Sequence, residues 1–267
     1  MLLYKLSSHL FKDIYLKSII TAQAIFKWGV NLVLPPRCPI NGNIVDRVGA
    51  ISPQAWKELT FVSDPHCNCC GIPFAIDNTI GFETENDFLC GQCLSTQRHF
   101  DKAKSIFVYN EGSRKMILAF KHGDALHLHT TLAPLLVNLG KNFCKPDSIL
   151  VPIPLHWLRL VNRRYNQSAI LANAMSKISG QVCWSDALIR VRHTPPQGHK
   201  SAKDRHQNVA GAFKMNSNYQ DKIKDKNIVL VDDVFTTGAT LDECSKVLKS
   251  TGVASVNILT VARVIKE

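Results

Sequence analysis

The chain has 267 residues, 45% of them hydrophobic, and a formal net charge of +11. That is enough apolar material for one large domain, or for a domain with a small module beside it. No apolar run approaches the roughly 18 residues of a membrane helix, so no transmembrane segment is expected. The excess of 32 Lys and Arg over 21 Asp and Glu favours polyanionic partners without naming one.

Residues 1–37 carry Lys5, Lys12, Lys17, Lys27 and Arg37 against the single acid Asp13, with Leu3, Leu6, Leu10 and Ile14 at helical spacing. The pattern predicts a basic helical lead that either packs on the domain or meets a membrane or protein partner. It lacks an apolar core followed by a small-residue cleavage site.

Residues 38–100 are rich in Cys, Gly and Pro and poor in periodicity, the composition of a small module held together by something other than a core. Of the nine cysteines, Cys67, Cys69, Cys70, Cys90 and Cys93 fall within 27 residues. Cys38 precedes them, and Cys144, Cys183 and Cys244 are scattered. An odd count in tight pairs, with no signal peptide, points to a reducing, cytoplasmic compartment and a metal rather than disulfides. Cys67-x-x-Cys70 and Cys90-x-x-Cys93 predict two knuckles whose four thiolates suit tetrahedral Zn²⁺, with Gly71 and Gly91 easing the turns. A closed shell of four sulfurs leaves no position for water, so the role is structural, contributing roughly 10–16 kcal/mol to folding. A redox pair or an iron–sulfur cluster are the alternatives for the same sulfurs.

From about Asp101 strand-like and helix-like segments alternate. Strands are read at 105–109, 148–152, 227–232 and 254–262, and helices at 113–121, 127–143, 167–179 and 239–250. The alternation predicts an α/β domain over residues 101–267, a parallel sheet with helices on both faces. One polar stretch, HTPPQGHKSAKDRHQNVAG (193–211), resists the pattern and reads as a lid or binding loop, or a surface insertion.

The run IVLVDDVFTTGAT (228–240) ends a buried strand in two adjacent carboxylates. Neighbouring side chains on a strand point apart, so Asp232 and Asp233 are expected to converge only through a turn at that point. Thr236, Thr237, Gly238, Ala239 and Thr240 supply a turn into a helix whose free N–H groups suit a phosphate. A ribose 5-phosphate fits this arrangement: phosphate in the turn, ring hydroxyls on the two acids.

VLVDDVFTTGAT resembles the phosphoribosyl pyrophosphate (PRPP) loop of type I phosphoribosyltransferases. LPPRCP (34–39), CCGIPF (69–74), CGQCL (90–94), ILAFKHGD (117–124), VPIPLHWLRLVNRRYNQS (151–168) and TPPQ (194–197) narrow the resemblance to the ComF family, over residues 33 to 264. The resemblance implies a small N-terminal zinc module, a phosphoribosyltransferase-like domain, and a role in DNA uptake during bacterial natural transformation. It departs from the family pattern at Cys38-Pro39-Ile40-Asn41-Gly42, a knuckle whose second cysteine is replaced by Asn41. Cys38 is then a leftover or a substitute ligand, and Cys69, between two expected ligands, a free thiol.

PRPP needs a second anion site. Between His156 and Met215 six Arg and four Lys face only Asp186 and Asp204. Arg163 and Arg164, with Lys203 and Arg205 from the polar stretch, are the candidates for the pyrophosphate, which Mg²⁺ would bridge. In transferases of this fold a flexible loop closes over the ligand. Three functions follow. One is a DNA-handling protein that binds PRPP and single-stranded DNA, working with uptake machinery at the inner membrane. The others are an active phosphoribosyltransferase in nucleotide or cofactor salvage, and a sugar-phosphate sensor.

Overall fold

The computed structural model describes residues 33–74, 88–121, 125–141, 144–192 and 207–265. Residues 1–32 of the basic lead (1–37) and the greater part of the polar stretch, 193–206, lie outside the described residues. In chain order the elements are α1 (Pro53–Trp56), α2 (Gly91–Ser95), β1 (Lys102–Val108), α3 (Glu111–Lys121), α4 (His129–Gly140), β2 (Ile149–Pro152), α5 (Trp157–Arg163), α6 (Gln167–Ser179), β3 (Leu188–Arg190), β4 (Phe213–Met215), β5 (Asn227–Phe235), α7 (Ala239–Lys249) and β6 (Ser255–Arg263).

Four strands form a parallel sheet in the order β1-β6-β5-β2. β5 takes the interior place because Ile228, Val229, Leu230 and Val231 are all β-formers that tolerate burial on both faces, and all are fully buried. The pleat divides the apolar residues between two layers. Leu150, Val229, Val231, Leu259 and Val261 pack with Met116 and Phe120 of α3, Leu132 and Leu136 of α4, and Leu171 of α6. Ile149, Val151, Ile228, Leu230, Val256 and Ile258 pack on the other side, with Leu241, Cys244 and Leu248 of α7. Cys67, Cys70 and Phe100 belong to this second layer, so the cysteine knuckles form part of the wall that covers the α7 face. The Cys69 carbonyl also accepts the Ala103 N–H at 2.7 Å, which ties the first knuckle to β1.

Two expectations change. The strand read as ending at Asp232 continues to Phe235, because β6 runs on to Arg263 and supplies partners beyond the acids: Asp232 lies opposite Thr260, Val234 opposite Ala262, and Phe235 opposite Arg263. The polar stretch emerges from an antiparallel β3–β4 pair, which sequence periodicity missed because each strand has three residues. Its feet are fastened where Val191 N–H donates to the Ala212 carbonyl at 2.9 Å and Arg192 Nη2 donates to the carbonyls of Asn208 and Ala210 at 3.2 and 2.6 Å.

An aromatic stack joins the N-terminal region to the sheet: Phe61 lies 5.9 Å from Trp56 and 4.8 Å from the fully buried Phe107 of β1. Phe107→Ala should lower the unfolding free energy by about 3–5 kcal/mol, since the rigid sheet cannot collapse into the space. Urea denaturation followed by tryptophan fluorescence measures it.

Candidate functional site

β5 delivers its two acids to the carboxyl edge of the sheet, where open α/β folds bind ligands. The turn expected at the acids comes three residues later, so the pleat alternates them and each has its own support. Asp232 Oδ1 accepts from Ser168 Oγ, at the start of α6, at 2.8 Å, and from the Asp233 N–H at 2.9 Å. Asp233 Oδ2 pairs with Lys121 Nζ, the last residue of α3, at 3.2 Å. Among the described residues no hydrogen bond engages Oδ2 of Asp232 or Oδ1 of Asp233, so each acid keeps one oxygen for a further donor. Burial first, and the neighbouring Asp233 charge second, push the Asp232 carboxyl up to about 7, against the pull of Ser168, the Asp233 amide and Lys121. Near neutral pH Asp232 is therefore partly protonated.

The turn that follows is built around Gly238. Its φ is +80° and it caps α7 without any side-chain hydrogen bond, leaving the first-turn N–H groups free for an anion. A Cβ there would stand 2.7 Å from Cζ of Phe235, so both conformation and space require glycine. Thr237 is buried, and its Oγ1 has no partner among the described residues. A buried hydroxyl left unpaired costs about 1–3 kcal/mol, and a phosphate oxygen in the turn would remove that cost. Thr236 is exposed, Ala239 buried and Thr240 half-buried on the first turn of α7.

The basic candidates divide. Arg163 ends α5, and Arg164 follows as an exposed left-handed cap with φ 64°. The connection into α6 borders the acids: Tyr165 Oη donates to the Phe120 carbonyl at 3.1 Å and Gln167 Nε2 to that of Lys121 at 3.1 Å. Lys203 and Arg205 lie outside the described residues. Two further arginines of the basic run serve the fold: Arg190 is buried over the Phe213 ring at 5.2 Å, and Arg192 holds the hairpin feet. Sequence reasoning missed Lys121 and Ser168. Both stand inside stretches that carry the family resemblance, but only the meeting of α3, α6 and β5 gives them a role.

The Sγ atoms of Cys67, Cys70, Cys90 and Cys93 all lie within 4.8 Å of one another. Zn–S bonds of about 2.3 Å in a tetrahedron require sulfurs about 3.8 Å apart, and Cys70 and Cys90 are 3.6 Å apart. The N–H groups of Cys90 and Cys70 point at Cys67 Sγ at 3.3 and 3.5 Å, as suits a thiolate. The quartet fits Zn²⁺ and has no place for Cys38 or Cys69. Cys38 is buried in the opposite hydrophobic layer. Burial acts to raise its thiol, but the amides of Ser52, Asn41 and Ile40 and the Ser52 hydroxyl outweigh it and hold its pKa below the ordinary range. Asn41 Nδ2 donates to Ser52 Oγ at 2.9 Å, and Ser52 Oγ caps α1 at the Ala55 N–H. A knuckle-shaped turn is thus closed by hydrogen bonds where the quartet is suited to a metal.

Comparison with known proteins gives two domain matches: a double zinc ribbon domain over residues 29–96 and a phosphoribosyl transferase domain over residues 158–267. The chain is 31% identical to Competence protein F of Haemophilus influenzae, over 75% of this chain and 86% of that one. It is 28% identical to DNA utilization protein YhgH of Salmonella typhimurium, over 74% and 83%, and 29% identical to Competence protein ComFC of Bacillus subtilis, over 60% and 63%. Among solved structures it is similar to a purine phosphoribosyltransferase from Pyrococcus horikoshii, with a TM-score of 0.32 and 16% identity over 51% of this chain and 85% of that one.

Two outcomes are expected. Elemental analysis of the purified chain should find about one zinc per chain, not two, and Cys70→Ser or Cys90→Ser should abolish it. Asp232 gives a pH signature. Its folded pKa of about 7 lies above the ordinary carboxyl value of 3.8, so the folded state binds more protons and stability falls as pH rises through that window. Asp232→Asn should therefore unfold at higher urea than wild type at pH 8, by at most on the order of 4 kcal/mol at about 1.4 kcal/mol per pKa unit. The gap should close as the pH approaches 4.

Proposed function

Because the chain belongs to the ComF family of competence proteins, we propose that it binds PRPP or a related sugar phosphate at the carboxyl edge of β5 and handles single-stranded DNA in support of DNA uptake. The observation that carries the ligand reading is the buried Thr237 hydroxyl, without a partner among the described residues, in a glycine-capped turn beside two acids that each keep an oxygen. In this reading residues 38–100 hold the zinc and residues 101–267 the ligand. The phosphate takes the Thr237 hydroxyl and the N–H groups of Gly238, Ala239 and Thr240, with Thr236 at the rim. The ribose hydroxyls donate to Asp232 Oδ2 and Asp233 Oδ1, while Ser168 and Lys121 hold the carboxylates in place. Arg163, Arg164, Lys203 and Arg205 are the candidates to offset the pyrophosphate charge. Mg²⁺ enters with the ligand, neutralising pyrophosphate charge while taking few protein ligands.

The DNA reading draws on the names of the relatives, which speak of competence and DNA utilization, and on α5. There Trp157 is 63% exposed and Val161 68% exposed, and the exposed Arg164 caps the helix. An exposed indole in a basic setting suits a stacked base and its backbone. No helix of the described residues is long and apolar enough to cross a membrane. In this reading the chain works from the cytoplasmic side with DNA-uptake machinery at the inner membrane. Phosphoribosyl transfer in nucleotide or cofactor salvage is the second reading, favoured by the phosphoribosyl transferase match over residues 158–267.

Calorimetry with PRPP and Mg²⁺ tests the ligand. Wild type should release heat, and Asp233→Ala and Thr237→Val should each weaken binding about tenfold or more, the loss of one charged or buried hydrogen bond. Absence of heat from wild type refutes the site. Pyrophosphate release with a panel of bases would move the assignment to turnover. Retention of single-stranded DNA should fall steeply with salt and disappear in Arg163→Ala/Arg164→Ala.

A further inference from the structure

Two guanidinium groups occupy the seam between the cysteine quartet and the turn after β5. Arg263, the last residue of β6, is 2% exposed. Its Nη1 donates to the Thr236 carbonyl at 3.0 Å and its Nη2 to Cys70 Sγ at 3.4 Å. Its plane lies over the Phe235 ring, 3.8 Å from the centroid, and that same ring fills the space a side chain at Gly238 would need. One side chain thus touches a metal ligand, the first residue of the phosphate turn, and the ring against which the turn is folded. Arg98 follows the second knuckle. Its Nε, Nη1 and Nη2 are all buried and none has a hydrogen-bond partner among the described residues. Its Nη1 lies 3.7 Å from the Cβ position of Gly238.

Buried cations without counter-charge are strongly unfavourable. The counter-charge on this face is the quartet itself: four thiolates around one Zn²⁺ carry a net charge of −2, and two guanidinium groups balance it. The second domain provides one of these cations and the module the other, so the metal site is electrically complete only when the two parts are joined at the turn.

We propose that Arg263, with Arg98 beside it, is a positioning residue that ties the loaded cysteine site to the Thr236–Thr240 turn, so that zinc loading holds this turn in its anion-accepting shape. The proposal rests on the structural-zinc and sugar-phosphate readings but does not depend on which phosphorylated ligand is bound. Neither arginine touches the ligand. Their effect is on the shape and rigidity of the turn.

The test uses the zinc-loaded full chain and three readouts: chelator competition for zinc, amide hydrogen exchange of a peptide spanning residues 235–241, and calorimetry with PRPP and Mg²⁺. Arg263→Met should yield its zinc at about tenfold lower chelator, exchange the turn about tenfold faster while loaded, and bind PRPP about tenfold more weakly. Arg263→Lys restores the charge but not the forked geometry, so it should recover zinc retention and leave the turn fast. If Arg263→Met fails to fold, Arg98→Met carries the zinc and exchange arms, since its side chain makes no hydrogen bond among the described residues. Turn exchange equal to wild type in a loaded, folded variant overturns the proposal. Absence of PRPP heat from wild type, with turn exchange still responding to Arg263→Met, removes the ligand reading and leaves the coupling standing.

Discussion

The parallel pairing of β5 with β6 on one side and β2 on the other is the constraint from which the rest of the molecule follows. Ile228 to Val231 have no solvent on either face, so helices must cover both, and the acids at the end of the strand must stand at the edge of a two-sided core. That edge is the one place in such a sheet where backbone groups, helix termini and polar side chains from several elements meet without being sealed under a helix. The Lys121, Ser168 and Gly238 positions are brought there by the ends of α3, α6 and α7.

The electrostatics at this edge oppose the acids to one another. Two carboxylates on successive residues repel, and burial makes their charge more costly. Asp233 is relieved by Lys121; among the described residues Asp232 has only neutral donors at hydrogen-bond distance, and its carboxyl is pushed up by burial and the neighbouring acid. A ligand with paired hydroxyls suits such a pair, because it donates hydrogen bonds without adding negative charge between the acids. In the proposed reading the phosphate would be held away from them, at the α7 terminus, by first-turn N–H groups and the buried Thr237 hydroxyl.

The cysteine module is integrated with the sheet. Cys67 and Cys70 sit in the same apolar layer as α7, and Arg263 reaches from the last strand to Cys70. The first knuckle-like turn, at Cys38, lies in the opposite layer and is closed by Asn41 and Ser52. One knuckle-like turn is closed here by hydrogen bonds, and the four sulfurs suited to a metal stand where the module meets the Thr236–Thr240 turn.

Much of this was legible in the chain itself. The grouping of Cys67, Cys70, Cys90 and Cys93 into one cluster followed from their spacing, because knuckle geometry is local. The parallel sheet followed from alternating periodicity, and the α6 span was read at its true limits because its cap and end, Asn166 and Gly180, are sequence signals. The end of β5 was misread, since Asp232 and Asp233 do not resemble strand residues and only β6 supplies their ladder partners. Lys121, Ser168, Arg98 and Arg263 carried no local signal. Each matters through a contact spanning dozens of residues or more, and sequence separation hides such contacts. The sequence by itself determined which residues could bind a metal or a phosphate; the tertiary structure decided which charges balance them, because a buried charge is governed by its neighbours in space.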